Sequence, residues 1–178
     1  MIYQQAEDSE LLKSQIKKYA KNKSVLDLGS GSGILAEEAI ISKARNVLAS
    51  DINPDAIRLL KQKNISSVKS DLFLNIKGRF DLIIFNPPYL PEDAMEPKSS
   101  ALSTTGGKKG DEIILKFLKQ AGKHLNPHGK ILLLLSSLTP KKRILNLLES
   151  KYFRHKIITK KKIFFEELYV LEISKNIV

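Results

Sequence analysis

The chain has 178 residues, 30 lysines and arginines against 19 aspartates and glutamates, a formal net charge of +11 and 42% hydrophobic residues. That is enough apolar material to build one packed domain, spanning residues 1–178, and too much for a disordered chain. Cysteine is absent, which removes disulfides, thiolate metal sites, iron–sulfur clusters and cysteine nucleophiles, and three scattered histidines (His124, His128, His155) suggest no metal site.

Residues 7–20 read as a helix: Leu11, Leu12, Ile16 and Tyr19 recur at helical spacing, with Lys13, Lys17 and Lys18 on the other face. A buried strand follows at 24–28, then a glycine-rich turn and a helix over 34–42. Residues 46–51 form a second strand. Asn53 caps a helix that starts at Pro54. Residues 67–71 and 80–85 are strands, the latter stopped by Asn86-Pro87-Pro88-Tyr89. Residues 90–110 lack periodicity, and a loop that long in a compact domain is usually functional. A helix is expected over 111–125, a turn at 126–129, a buried strand over 130–136 and a helix from Pro140 to about 150. Two final strands, 153–160 and 167–173, are expected to pair antiparallel. Strands that are continuous apolar runs and alternate with helices predict a doubly wound, mostly parallel α/β sheet with an antiparallel C-terminal edge. The apolar runs are too short to span a bilayer, and no charged and apolar leader opens the chain, so a soluble cytoplasmic protein without membrane association is expected. The positive balance favours a nucleic-acid partner, or serves only solubility and heat stability.

In such a sheet, ligands bind beyond the carboxyl ends of the strands. The first strand–helix turn is Asp27-Leu28-Gly29-Ser30-Gly31-Ser32-Gly33, in which Gly29 and Gly31 let the backbone approach a ligand. A dinucleotide fingerprint needs its third glycine where Ile34 stands, so that spacing fails. Asp27 would repel a pyrophosphate and attract a cationic amine. S-adenosylmethionine carries an ammonium and a sulfonium and no phosphate. Asp51, ending the second strand, can accept both ribose hydroxyls. Asp71, ending the third, can accept from the adenine amino group, with Leu72 or Ile52 flanking the ring. One acid at a strand end is commonly a turn or cap residue. Three such acids beside a glycine turn point to a nucleoside site.

Asn86-Pro87-Pro88-Tyr89 follows the strand expected beside the first. Asn86 offers an amide oxygen and Pro87 a carbonyl, and Pro88 has no N–H to compete for it. Two converging acceptors can hold both hydrogens of a planar NH₂ group while Tyr89 stacks on its face. An amide nitrogen lends its lone pair to a π-system and is a poor nucleophile. Positioning, together with acceptors aimed at the developing positive nitrogen, therefore carries the catalysis, and no strong base is needed.

These motifs together resemble the class I S-adenosylmethionine-dependent methyltransferases that act on planar NH₂ groups. Within them the chain resembles the HemK/PrmC glutamine N5-methyltransferases of peptide chain release factors. Tyr3-x-x-Ala6-Glu7-Asp8-Ser9, Gly106-Gly107-x-x-Gly110 with Phe117-Leu118, and Leu125-x-Pro127-x-Gly129 resemble the short archaeal and eukaryotic branch. The resemblance implies a seven-stranded Rossmann-like sheet and a helical N-terminal segment over residues 1–22. It implies cofactor contacts at Ser9, Asp27, Gly29, Asp51, Asp71, Leu72 and Asn86, and target-amide contacts from Asn86 to Tyr89. Gln5 stands where a proline is frequent, and Asp27 where many relatives have Glu. The implied substrate is the glutamine of a Gly-Gly-Gln motif in a class 1 release factor. The implied partner is a small zinc-binding activator protein, which would cover exposed hydrophobic surface.

Two other readings stay open on the residues. A DNA or RNA methyltransferase acting on adenine N6 or guanine N2 would use the same acceptor pair, with Lys98, Lys108 and Lys109 in the long loop to hold the strand. A non-catalytic cofactor-binding subunit would not need the Asn86–Tyr89 turn.

Overall fold

In the computed structural model, residues 7–91, 104–164 and 166–176 are described. The Tyr3–Ala6 part of the leading motif and Lys98 lie outside them. The chain runs α1 (Glu7–Tyr19), β1 (Ser24–Leu28), α2 (Ile34–Ile41), β2 (Asn46–Asp51), α3 (Pro54–Gln62), β3 (Ser67–Lys69), β4 (Phe80–Phe85), α4 (Glu112–Ala121), β5 (Leu125–Ser136), α5 (Lys141–Ser150), β6 (Phe153–Ile163) and β7 (Glu166–Lys175).

One seven-stranded sheet has the order β3-β2-β1-β4-β5-β7-β6. The first five strands pair parallel, and β7 lies antiparallel to both β5 and β6. Alternate residues of the central strands face opposite layers. Leu26, Leu28, Ile83 and Phe85 pack with Ile114 and Phe117 of α4 and Ile144 and Leu148 of α5. Val25, Leu82 and Ile84 pack with Leu12 and Ile16 of α1 and Leu35 of α2. Burial on both faces explains why these strands carry no polar alternation. From β1 the chain winds outward through β2 to β3, then crosses back to β4 on the other side of β1. The crevice is therefore expected above β1 and β4. Among the described residues no helix is long and apolar enough to cross a membrane.

Two expectations need correction. The helix expected to reach residue 125 stops at Ala121 and tightens into a 3₁₀ turn, Gly122–His124, where Gly122 lies against the Phe153 ring. The expected turn at 126–129 is instead the irregular start of β5. Phe80 pairs with Leu125 and Leu82 with Lys130, so the extra residues bulge out of the ladder. Asn126 Nδ2 donates to Asp81 Oδ1 at 2.7 Å and anchors the bulge. Gly129 permits it, because a Cβ there would lie 2.9 Å from the Phe80 carbonyl oxygen. The remaining differences are at element ends; β3 stops at Lys69, before Asp71.

Candidate active site

Leu28 and Phe85 are partners across β1 and β4, so the glycine turn and Asn86 leave the sheet side by side. Ser30 N–H donates to the Ser50 carbonyl, and Gly31 N–H donates to Asp51 Oδ2, both at 2.8 Å. Asn53 N–H donates to Asp51 Oδ1, also at 2.8 Å. Asp51 thus spends one lone pair of each oxygen on shaping the turn and keeps the others for a ligand. Gly33 has φ 86°, and a Cβ there would sit 2.7 Å from Leu60 Cδ2. Only glycine meets both demands at the start of α2.

Asp27 has no solvent exposure. The Ser30 hydroxyl donates to Oδ2, while Oδ1 has no hydrogen-bond partner among the described residues. Burial pushes the carboxyl up to about 7; the Ser30 hydroxyl and the Ala36 N–H pull back only in part, and the charge of Asp51 adds to the rise. A buried carboxylate with an unspent oxygen is stabilised by a cation placed against it.

Asp71 lies just past the end of β3, half-exposed, with Oδ2 3.1 Å from Lys116 Nζ of α4. Its partner in this structure is thus a lysine that sequence reading did not foresee. Leu72 beside it has φ 47°, held by Ser70 Oγ donating to the Leu72 carbonyl at 2.8 Å. Ile52 is 53% exposed at the end of β2. Asp27, Asp51 and Asp71 therefore follow one another along the carboxyl edge, across β1, β2 and β3.

On the other side of β1, Asn86 Nδ2 donates to Asp8 Oδ2 at 3.2 Å, with Ser9 Oγ at 3.5 Å. An ionised aspartate only accepts, so Asp8 selects the orientation of the Asn86 amide. Asn86 Oδ1 is left buried and without a hydrogen-bond partner among the described residues. Asp8 Oδ1 accepts from Ser9 N–H at 2.6 Å, and both residues are buried at the first turn of α1. The structure brings Ser9, a cofactor contact implied by the resemblance, beside Asn86; Asp8 is a residue that sequence reading does not single out. An acid in the first helical turn usually serves the helix dipole, which hides this role.

Pro87 is buried, and Pro88 and Tyr89 are half-buried. Tyr89 packs against the hydrophobic layers on both faces of the sheet. Burial, then the negative charges of Asp8 and Glu166, hold its phenol well above the ordinary value, so it stays neutral. The backbone of this turn rests on residues 104–110. Leu90 N–H donates to the Thr104 carbonyl and Gly106 N–H to the Leu90 carbonyl, both at 2.9 Å. A Cβ on Gly106 would lie 2.4 Å from the Gly110 oxygen and 2.7 Å from the Pro88 oxygen. The Gly106-Gly107-x-x-Gly110 motif is thus a backbone-to-backbone support for the Asn86–Tyr89 turn. Gly106→Ala is expected to lower stability by about 1–3 kcal/mol, the range of overpacking changes. It should also raise the acceptor KM more than the cofactor Kd. Denaturant melts with steady-state kinetics read both.

Among the described residues no cluster of metal-ligating side chains occurs. The sequence profile of the methyltransferase small domain matches residues 6–165. A Methanocaldococcus jannaschii protein, provisionally named a protein N5-glutamine methyltransferase, is 39% identical over 96% of this chain and 90% of its own length. The release factor glutamine methyltransferase of Aquifex aeolicus is 35% identical over 72% of this chain, but the match spans only 51% of that protein. A chain of the E. cuniculi Mtq2–Trm112 complex, responsible for methylation of the translation termination factor eRF1, superposes with a TM-score of 0.81. It is 27% identical, covering 98% of this chain and 99% of that one.

Proposed function

Because the chain belongs to the methyltransferase small domain family, we propose that it methylates the side-chain nitrogen of a glutamine, the Gly-Gly-Gln glutamine of a class 1 release factor. The observation that carries this reading is the Asn86 amide, held by Asp8 with its oxygen buried and unspent. The names of the archaeal and Aquifex relatives support the choice of glutamine.

The residues fit S-adenosylmethionine. Asp27 Oδ1 is the unspent acceptor for its ammonium, Gly29 and Gly31 the backbone that faces it, Asp51 the acceptor for ribose hydroxyls, and Asp71, Leu72 and Ile52 the surroundings of the adenine. Ser9 and Asn86 close the methyl end. When bound, the cofactor supplies an electrophilic methyl group on its sulfonium. Asn86 Oδ1 and the Pro87 carbonyl accept the two N–H bonds of the target amide, and Pro88 cannot compete for that carbonyl. Tyr89, kept as a neutral phenol, offers its ring to the flat face of the amide. Holding both hydrogens turns the nitrogen lone pair toward the methyl and favours the positive charge that develops there. As the N–C bond forms, the nitrogen becomes acidic and its proton passes to water, so no residue of this chain need be a strong base.

Residues 1–178 are read as one catalytic unit with residues 1–22 as its leading segment, of which residues 1–6 lie outside the described residues, working in the cytoplasm. A small zinc-binding activator protein is part of the reading, supported by the partner in the E. cuniculi complex. Leu74, 79% exposed beyond β3, offers it apolar surface. A second reading, methylation of an exocyclic amine of a nucleic-acid base, would use the same two acceptors and draws on the net charge of +11. The test is transfer of labelled methyl to a release factor and to its Gln→Ala variant, with labelled cell extract digested separately by protease and nuclease. Label in the release factor that is lost in the variant supports glutamine; equal labelling of both, or nuclease-sensitive label, rejects it.

A further inference from the structure

The amino end of the sheet, away from the glycine turn, carries a cleft of about 310 Å³. Phe153 and Leu118 floor it, and Lys119, Lys123, Lys151 and Lys175 ring it; no carboxylate lines it among the described residues. These lysines come from α4, the 3₁₀ turn, the end of α5 and the end of β7, so the fold alone brings them together. None forms an ion pair among the described residues, whereas Lys156, Lys160 and Lys161 on neighbouring β6 are each paired with a glutamate. Lys175 donates to the Leu125 carbonyl at 2.8 Å, and burial and nearby Arg79 hold its pKa below the ordinary lysine value. Cations of one sign around a concavity repel one another until an anion enters.

A second observation points the same way. Tyr152 stands on the rim, 75% exposed, with φ 56°. It follows the C-cap of α5, a position that favours glycine, and a bulky residue there carries backbone strain. Its ring gains little from packing, being open to solvent beside the lysines. An aromatic platform beside a basic groove is the arrangement that holds single-stranded nucleic acid, with phosphates on the cations and a base on the ring.

We propose that this cleft binds the phosphodiester backbone of single-stranded nucleic acid, with one base stacked on Tyr152. The site is separate from the methyl-transfer site. Glu166, beside Tyr89, and Lys175 are nine steps apart on β7, about 30 Å at strand spacing. A partner that reaches both ends must therefore be large. The inference goes beyond the methyltransferase reading and does not rest on it.

The test is fluorescence anisotropy with labelled twelve-nucleotide single-stranded RNA, DNA of the same sequence and an oligoglutamate peptide, over a range of salt. The full chain is compared with Lys119→Glu/Lys123→Glu/Lys151→Glu. The control is Lys17→Glu/Lys21→Glu/Lys61→Glu, which has the same net charge with the substitutions elsewhere. The cleft variant is expected to lose at least about tenfold in affinity, and its salt slope to fall by about 2, at about 0.7 per phosphate contact on a single strand. The control should lose less than about threefold by the same relation, and Tyr152→Ala about fivefold or more. The RNA and DNA arms distinguish the two sources of the backbone. Equal losses in both triple variants would overturn the proposal in favour of diffuse charge. Oligoglutamate binding as tightly as nucleic acid, with no effect of Tyr152→Ala, would overturn it in favour of an acidic protein. Circular dichroism melts establish that each variant folds. Asn86→Ala should leave this binding unchanged, which separates failure here from failure of the glutamine reading.

Discussion

Asp27→Asn is expected to stabilise the free protein at pH 8 and, in the same molecule, to remove cofactor binding. The Asp27 carboxyl is raised to about 7 in the fold against 3.8 for the ordinary group, chiefly by burial. Between those values the folded chain keeps a proton that the unfolded chain has lost. The stability this proton provides is present in full below the unfolded value. It declines as pH rises through the window and is gone above the folded value. A neutral amide escapes this loss. The gain at pH 8 is on the order of a few kcal/mol at most, since one pKa unit corresponds to about 1.4 kcal/mol. For a chain of this size each kcal/mol moves the melting temperature by about 2–4 °C. The gain should vanish near pH 4. Binding runs the other way. Removing the charged partner of a buried cation typically costs 2–5 kcal/mol, so calorimetry should find affinity for S-adenosylmethionine down by about 100-fold or more. For the parent protein, affinity should rise from pH 5.5 to 7 as Asp27 ionises, and the variant should show no such rise. Normal cofactor binding by the Asp27→Asn protein would remove Asp27 from the site.

Asn86→Ala is expected to lower kcat by about 10²–10³-fold, the scale of deleting one fixed hydrogen-bonding group from a transition state. Cofactor affinity should change by only a few-fold. The role of Asp8 is separable from it. Asp8→Asn keeps an acceptor for Asn86 Nδ2 and should retain most of kcat. Asp8→Leu removes it, lets the amide turn and should reduce kcat by about tenfold or more through the lost acceptor, with little change in acceptor KM. The double variant Asp8→Leu/Asn86→Ala should be no slower than Asn86→Ala alone, because Asp8 acts through that side chain. Additive losses in the cycle would assign Asp8 a merely structural part.

The parallel half of the fold is readable in the sequence because burial on both faces forces continuous apolar runs. Val25-Leu26 and Leu82-Ile83-Ile84 admit no other placement in a chain whose helices are all amphipathic or short. The glycine turn and the Asn86–Tyr89 turn are readable for a related reason: each joins residues that local structure alone would not demand. What escaped is what depends on distant partners. Asn126-Pro127-His128-Gly129 has the composition of a turn, yet pairing of Leu125 with Phe80 makes it a bulge inside β5. Asp71 reads as an acid at a strand end, and only the fold brings Lys116 of α4 to it. Asp8 looked like a first-turn acid until the fold laid Asn86 beside it. The lysine cleft assembles from four segments, none of which is unusual by itself.

Tandem mass spectrometry of a Gly-Gly-Gln peptide, after incubation with the protein, any activator it requires and S-adenosylmethionine, would show where the methyl group goes. One methyl on the glutamine side-chain nitrogen, absent when Asn86→Ala replaces the parent protein, is the expected spectrum. A methyl on the peptide backbone or a lysine, or the same modification with the Asn86→Ala protein, would contradict the assignment of those acceptor oxygens to a planar nitrogen.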